Sequence, residues 1–257
     1  MVETAYAFSR RLPEPLQVPL RAIYGQRPSA RAERRGWAER QRVADLVERE
    51  LGAVVRAGPF AGLRLDAVTG DAPAKILGCY EIELHEAIES LVAKQFDTIV
   101  NVGCAEGYYA VGMALRCPTA RILAYDIDLA QQMLCRKTAE ANRVDSRLET
   151  RGKCTSADLQ ALRKGSLVIM DCEGCEDDLL QGGIYATLLV ELHDWVDCSL
   201  PERVIARLSR SHSLEVIHTR GRDPADYPEL HFLTAPEREL ALFERPIPMR
   251  WIVATPN

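Results

Sequence analysis

Acidic residues and a histidine follow two apolar runs of the chain, which is the pattern of catalytic groups at strand ends. Asp171 and Glu173 come directly after the run 166–170, and His193 follows the run 187–192. A carboxylate or an imidazole in such a position can accept a proton from a reacting hydroxyl. Glu173 could instead cap the helix that follows. His193 could instead have a structural role, as a hydrogen-bonded residue in the wall of the site. These three residues are the predicted catalytic residues.

A glycine-rich turn lies earlier in the chain, between an apolar run and an amphipathic segment. Gly103 and Gly107 are separated by three residues within the stretch 101–109. Glycine lets the backbone turn tightly and approach a ligand, and the free N–H groups of the following helix face that ligand. Such turns also occur for structural reasons alone. The G-x-x-x-G spacing differs from the G-x-G-x-x-G of dinucleotide-binding proteins.

Two aspartates follow the next apolar run, 120–125. Asp126 lies 19 residues after Gly107, close to the spacing of about 20 residues at which an acidic side chain accepts hydrogen bonds from ribose hydroxyls. The alternative is that Asp126 or Asp128 caps the helix that begins at Leu129. Asp128 suits the cap better, and Asp126 suits the ribose better.

Strands and helices alternate regularly from residue 96 onwards. Repeated strand–helix units form a parallel sheet with helices on both faces, and the apolar runs are typical of strands buried on both sides. Between the last two strands the sequence shows no helix as clear as those between the earlier strands, which predicts a hairpin-like pair. We therefore predict an α/β fold with a Rossmann-like, seven-stranded, mostly parallel sheet whose last strand is antiparallel. The predicted strands are 97–102, 120–125, 147–151, 166–170, 187–192, 214–218 and 249–254, and the helices are 108–115, 129–142, 156–162, 176–180 and 202–209.

The first third of the chain has a different pattern. Apolar residues spaced by three and four predict an amphipathic helix over 38–55 and another over 81–94. Residues 1–60 hold eleven arginines and seven acidic residues, and their interleaving favours a solvated helical face over a nucleic-acid surface. We predict a helical N-terminal extension over 1–74 and one ligand-binding domain over 75–257.

The composition and the first residues of the chain limit the classes of protein to which it can belong. The 257 residues are 47% hydrophobic and 27% charged, as in ordinary globular proteins. No apolar run is long enough to cross a bilayer, and Arg10, Arg11 and Pro13 stand where a signal peptide would be apolar. We expect a cytoplasmic protein with no membrane partner. Residues 61–257 are net acidic and carry no basic-aromatic stretch, so nucleic acid is not an expected partner.

The eight cysteines are expected to be free thiols, since a cytoplasmic chain keeps them reduced. Cys172 and Cys175 form a C-x-x-C, but no second pair stands at zinc-site spacing. We assign this pair neither a metal nor a redox role.

Taken together, these stretches resemble class I S-adenosylmethionine-dependent methyltransferases, and among them the FkbM family. DTIVNVGCAEGYY, from residue 97, is similar to the family's loop for the methionine part of the cofactor, and LAYDID to its ribose-binding strand end. DCEGCE, from residue 171, and the ELH that ends at His193 are similar to its D-x-E-G-x-E and E-x-H motifs. GCYE at 78–81 is similar to its G-x-Y-E lead-in. The likeness covers roughly residues 75–200.

The resemblance implies transfer of a methyl group from S-adenosylmethionine to a hydroxyl of a small molecule or sugar. Where the family usually has an acid at the start of the first loop, this chain has Asn101, which can accept a hydrogen bond but lacks the charge. The implied cofactor-binding residues are Glu81, Asn101, Gly103, Cys104, Ala105, Glu106, Gly107, Tyr108, Asp126, Ile127 and Asp171.

Other functions are compatible with the same fold. A nicotinamide-dependent oxidoreductase is one alternative, and a protein that binds the cofactor without catalysis is another, because of Asn101. Asp171, Glu191 and His193 could also hold a divalent metal, but their spacing matches no specific metal motif and no metal ligand is assigned. The oligomeric state is not predicted.

A long connection, 221–248, joins the last two predicted strands. Both of its ends must lie on the ligand side of the sheet, and long connections in compact domains often form lids. We predict that it covers the acceptor site with Tyr227 and His231. The alternative is a helix near 236–244 that packs outside the sheet and never meets the ligand.

Overall fold

The predicted strands form one sheet in the computed structural model, which describes residues 30–193, 195–245 and 247–257. The strand order is β3-β2-β1-β4-β5-β7-β6, with β7 antiparallel to both of its neighbours and the other six strands parallel. The order matches the 3-2-1-4-5-6 of nucleotide-binding folds, except that an antiparallel strand is inserted between β5 and β6. The predicted fold class is confirmed.

The observed elements agree closely with the predicted ones in the sheet. Strands β4 and β5 have the predicted bounds, and every other strand end lies within two residues of its predicted position. The strands are β1 Thr98–Val102, β2 Arg121–Tyr125, β3 Leu148–Arg151, β4 Ser166–Met170, β5 Thr187–Leu192, β6 His212–His218 and β7 Arg250–Pro256. The helices are α1 Ala30–Leu51, α2 Ala72–Leu77, α3 His85–Ala93, α4 Tyr108–Arg116, α5 Leu129–Ala141, α6 Ser156–Gln160, α7 Glu176–Leu179, α8 Leu200–Leu208 and α9 Ala235–Ala241.

Each face of the sheet is covered by its own hydrophobic core. Successive side chains of a strand point to opposite faces, so Ile99 of β1 lies in the first core and Val100 and Val102 lie in the second. Helices α1 to α5 and α9 contribute to the first core, and α6 to α8 contribute to the second. The sheet is therefore held rigidly from both sides, and its strand ends are fixed relative to one another.

Helix α1 begins and ends earlier than the helix predicted over 38–55. After Leu51 the chain forms an isolated antiparallel bridge between Val54 and Arg64, which replaces the last predicted turn. Val43 and Val47 are buried in the first core together with Ile99 of β1. The predicted division at residue 74 stays a prediction, and what was predicted for residues 1–29 lies outside the described residues. No described helix has both the length and the apolar character needed to cross a membrane.

The long connection between β6 and β7 contains two 3-10 turns and helix α9. Helix α9 contacts α1, and Leu230 and Leu233 are buried in the first core. The middle of this connection is thus the packed helix that was the alternative prediction. Its two ends adjoin the end of β6 and the start of β7.

Candidate functional site

The predicted glycine turn and the predicted catalytic loop touch at the point where the strand order reverses. The chain runs outwards from β1 to β3 and then returns to β4, so β1 and β4 are neighbours. The Asp171 N–H donates to the Val102 carbonyl at 2.9 Å. Gly103 has a φ of +79°, and a Cβ built there would lie 1.7 Å from the carbonyl oxygen of Asp171. Only glycine fits here, because the two backbones approach each other so closely.

His193 is the centre of a cluster of carboxylates beyond β4 and β5. Its Nδ1 lies 2.5 Å from Oε1 of Glu176, and both side chains are almost completely buried. Its Nε2 lies 3.3 Å from Oδ1 of Asp171 and 3.5 Å from Oε2 of Glu173. The three predicted catalytic residues therefore come together at the ends of two adjacent strands. Glu173 is the most exposed of them.

A tight turn between β4 and α7 positions the carboxylates of this cluster. Glu173 and Gly174 both have positive φ, +57° and +102°. The turn brings the Cα atoms of Cys172 and Cys175 to 5.6 Å, and the two cysteines form a disulfide. The expectation that every cysteine is a free thiol was wrong for this pair, because the turn places the two thiols side by side. The other six cysteines are free.

Opposing charges in the cluster perturb its titration. Burial works against a charged imidazole, but hydrogen bonds and Coulombic attraction from Asp171 and Glu176 raise the pKa of His193 well above its ordinary value. Burial likewise opposes ionisation of Asp171, yet His193 and Arg245 keep the pKa of that carboxyl below its usual value. Burial, followed by the nearby Asp171, raises the pKa of Glu191 well above its usual value. When no other cation is bound, an imidazolium beside an ionised Asp171 is therefore the favoured pair.

Arg245 forms the second half of the site and was missed by the sequence analysis. Its guanidinium bridges Glu81 and Glu191, and it lies 4.8 Å from the ring centroid of Trp251. Glu81 also accepts a hydrogen bond from the Tyr109 hydroxyl. Arg245 lies 54 residues from Glu191 in the chain. Arg245 is one of three arginines in the connection 221–248, and nothing in the sequence around it indicates this contact.

The ends of the long connection are held by buried ion pairs. Arg222 Nη2 lies 2.6 Å from Glu244 and 3.1 Å from Glu83, and its guanidinium donates to the carbonyl of Cys79. Burial raises the pKa of Glu244 to about 8, although Arg222 opposes the shift. The ends of the connection are thus fixed beside the predicted G-x-Y-E lead-in. Coverage of an acceptor by Tyr227 and His231 stays a prediction.

Asp126 closes the glycine turn against β2. Its Oδ2 accepts from the Ala105 N–H at 3.0 Å and its Oδ1 from the Asp128 N–H at 2.9 Å. Asp128 accepts from Ala130 N–H and caps α5, which confirms that part of the prediction. Each oxygen of Asp126 retains a lone pair, and the neighbouring Ile127 side chain is 80% exposed.

Several of the predicted cofactor-binding side chains are buried. Asn101 donates to the carbonyl of Ile169 at 3.4 Å, and its Oδ1 has no hydrogen-bond partner among the described residues. Tyr108 packs edge-on against Phe60 and Tyr80. Cys104 is also buried, and a Cβ at Gly107 would press on Cys135. Asp126 is partly exposed and Ile127 is exposed at the end of β2.

Glu106, another predicted cofactor-binding residue, belongs to a buried charge cluster. Lys75 Nζ bridges Glu106 and Asp71, with 2.7 Å to Asp71 Oδ2. It also lies 4.8 Å from the ring centroid of Tyr80. Lys75 stands in no motif that indicates this cluster. This cluster ties α2 to the glycine turn.

The Asp71–Lys75 pair predicts an acid-sensitive contribution to stability. Burial opposes ionisation, but the charge and hydrogen bond of Lys75 lower the pKa of Asp71 to about 2 from an ordinary 3.8. A lowered acid pKa stabilises the fold above the ordinary value, and the contribution is lost as the pH falls from about 3.8 towards 2. Asp71→Asn should cost about 2 kcal/mol of unfolding free energy at pH 7, and the cost should be clearly smaller at pH 3.

Urea unfolding of both proteins at pH 7, 5 and 3 measures this difference. Asp66→Asn, an exposed aspartate in the preceding loop, is the control and should change stability by less than about 0.5 kcal/mol. An effect of Asp71→Asn that does not depend on pH would show that the ion pair is not its source.

Comparisons with known proteins add limited information. No family model matches the chain, and no curated protein matches it. Among solved structures, the precorrin-6y C5,15-methyltransferase of Geobacter metallireducens is 11% identical with a TM-score of 0.47, covering 67% of this chain and 89% of that one.

Two O-methyltransferases are similar at the same level. TomG from Streptomyces achromogenes, solved in complex with SAM, is 12% identical with a TM-score of 0.42, covering 93% of this chain and 95% of that one. A SAM-dependent enzyme from Thermotoga maritima is 12% identical with a TM-score of 0.45, covering 69% of this chain and 66% of that one. At this level of similarity the comparisons do not identify a family.

Proposed function

We propose that the chain is an S-adenosylmethionine-dependent methyltransferase, similar to the FkbM family, that acts on a hydroxyl of a small molecule or sugar. The observation that carries the proposal is the contact of Gly103 with Asp171 at the strand-order reversal. Open α/β sheets bind their ligands at this point. The contact sets the predicted cofactor turn next to the carboxylate–histidine cluster, as a transfer reaction between two bound molecules requires.

The residues at the turn fit the proposed cofactor. Asp126 keeps lone pairs for ribose hydroxyls, and the exposed Ile127 beside it offers an apolar surface to an adenine base. The unpartnered Oδ1 of Asn101 is an acceptor for an ammonium group. S-adenosylmethionine, when bound, supplies an electrophilic methyl group on its sulfonium.

The remaining task of the chain is to orient the acceptor and to take its proton. Asp171, Glu173 and His193 surround one position at the ends of β4 and β5. Glu173 is the most open of the three to an incoming hydroxyl, while Glu176 fixes the ring of His193. The acceptor is thus held between the glycine turn and the cluster, and general-base assistance comes from the cluster.

Calorimetry distinguishes the proposal from its alternatives. S-adenosylmethionine and its demethylated product should both give saturable binding heats, whereas NAD should give none. Tight binding of NAD without binding of S-adenosylmethionine would make the chain an oxidoreductase. Binding without transfer of tritium from labelled cofactor to any of a panel of hydroxyl acceptors would favour a non-catalytic binding protein.

Asp126→Asn should weaken binding of S-adenosylmethionine by about 1.5–3 kcal/mol, because a charged acceptor of ribose hydroxyls is lost. The side chain keeps its shape and one acceptor oxygen, so the fold should survive. Asp128→Asn is the matched control, since asparagine also caps helices well. Asp128→Asn should leave the affinity within a few-fold. Unchanged affinity with a large loss of thermal stability in Asp126→Asn would mean that Asp126 only closes the turn.

A further inference from the structure

We propose that Asp171, Glu191 and His193 form a binding site for one divalent transition-metal cation. One oxygen of each carboxylate and one ring nitrogen of the histidine lie within 4.8 Å of one another. Ligand atoms about 2.0–2.2 Å from a shared cation are separated by roughly 3–4.4 Å. Small side-chain rotations would therefore complete the coordination without moving the strands.

The carboxylates around this point favour the binding of a cation. Asp171, Glu173 and Glu176 face the His193 ring, and a carboxylate oxygen of Glu191 lies within 4.8 Å of one of Asp171. Like charges that share a site need either a shared proton or a cation between them. Arg245 pairs with one oxygen of Glu191, and the carboxylate has a second oxygen.

The environment of His193 is an independent observation. Its Nδ1 is held at 2.5 Å by Glu176, a carboxylate with no exposed side-chain surface. A histidine that binds a metal typically donates its other ring N–H to a carboxylate of this kind, which fixes the ring and makes the free nitrogen more basic. Glu176 therefore directs Nε2 towards Asp171. The second oxygen of Glu176 has no hydrogen-bond partner among the described residues.

The ligand set selects the class of cation. An imidazole nitrogen suits Zn²⁺ and related transition metals, whereas Mg²⁺ and Ca²⁺ prefer oxygen ligands. Two carboxylates with one imidazole are well suited to Mn²⁺ or Zn²⁺. Three protein ligands also leave coordination positions open for water or an acceptor oxygen.

A role for this cation towards the acceptor rests on the proposed function. A bound cation lowers the pKa of a coordinated hydroxyl, which would assist its deprotonation. Glu173 is not among the three ligands and lies 3.5 Å from the His193 ring. It is placed to accept the proton released. The cation site itself does not depend on methyl transfer.

Titration of the metal-free protein with Mn²⁺, followed by electron paramagnetic resonance and calorimetry without any cofactor, tests the site. We expect one saturable site, weakened at least ten-fold by Asp171→Asn and by Glu191→Gln. Glu176→Gln keeps all three ligands and should weaken binding about 10- to 100-fold, as loss of an orienting partner does. His218→Asn, at an exposed histidine on β6, is the control and should bind as the wild type does.

The metal titrations decide whether the proposed cation site exists. Absence of saturable Mn²⁺ and Zn²⁺ binding at up to millimolar concentration would overturn it, as would undiminished binding in both Asp171→Asn and Glu191→Gln. Circular dichroism confirms that each variant is folded, and the two single substitutions serve as alternatives if one of them does not fold. Because no cofactor is present, failure here leaves the calorimetric test of S-adenosylmethionine binding unaffected.

Discussion

Gly103→Ala should reduce the free energy of unfolding by more than about 4 kcal/mol, which is an exceptional loss for the addition of one methyl group. The added Cβ would lie 1.7 Å from the carbonyl oxygen of Asp171 and 2.8 Å from its carbonyl carbon. Both are backbone atoms, so no side-chain rotation can relieve the clash. The ends of β1 and β4 would have to separate, breaking the Asp171–Val102 hydrogen bond. The φ of +79° adds about 1–2 kcal/mol.

Two control variants separate the clash from the backbone conformation. Gly62 has a φ of +92° with no described atom within 4 Å of a built Cβ, so Gly62→Ala should show the conformational cost alone. Gly152 follows β3, as Gly103 follows β1, but has free space and no positive φ. Gly152→Ala should be nearly neutral. Urea unfolding ranks the three variants, and a cost for Gly103→Ala no greater than that for Gly62→Ala would contradict the close approach.

The sheet could be predicted because each strand is indicated by a short run of adjacent residues. Apolar runs such as those of β4 and β5 are typical of strands buried on both faces, and their bounds were predicted without error. Asp128 was recognised as a cap because a cap depends only on the next few residues. The meeting of Asp171 with His193 followed from the rule that parallel strands end at the same edge of the sheet.

The ion pairs of the site could not be predicted, since they join distant segments. Nothing near Lys75 in the sequence indicates that it meets Glu106, and Arg245 is one of many arginines with no distinguishing motif. The sequence also does not indicate that Gly103 approaches the backbone of Asp171 closely, which the structure adds to its predicted approach to a ligand. The Cys172–Cys175 disulfide spans a turn in which Glu173 has a positive φ, and residue type does not predict such a φ.

Arg245→Met should reduce the free energy of unfolding by about 3–5 kcal/mol, because it leaves two buried carboxylates without their cation. Glu81 and Glu191 are 2% and 7% exposed at their side chains, so water cannot replace the guanidinium. Arg203→Met is the matched control. That arginine also bridges two acids, Asp177 and Asp197, but its side chain is 43% exposed, and such surface pairs contribute up to about 1 kcal/mol.

A double-mutant cycle identifies the origin of the loss. If the cost arises from the unpaired carboxylates, Glu81→Gln should be much less harmful in the Arg245→Met background than alone, with a coupling of about 1–3 kcal/mol. Glu81 and Glu191 come from the G-x-Y-E lead-in and from β5, and Arg245 is the group that joins them. Additive effects, with coupling below about 0.5 kcal/mol, would mean that Arg245 stabilises the fold through packing on Trp251 instead. In that case Glu81 and Glu191 would need another counter-charge, which makes the cycle a direct test of how this wall of the site is neutralised.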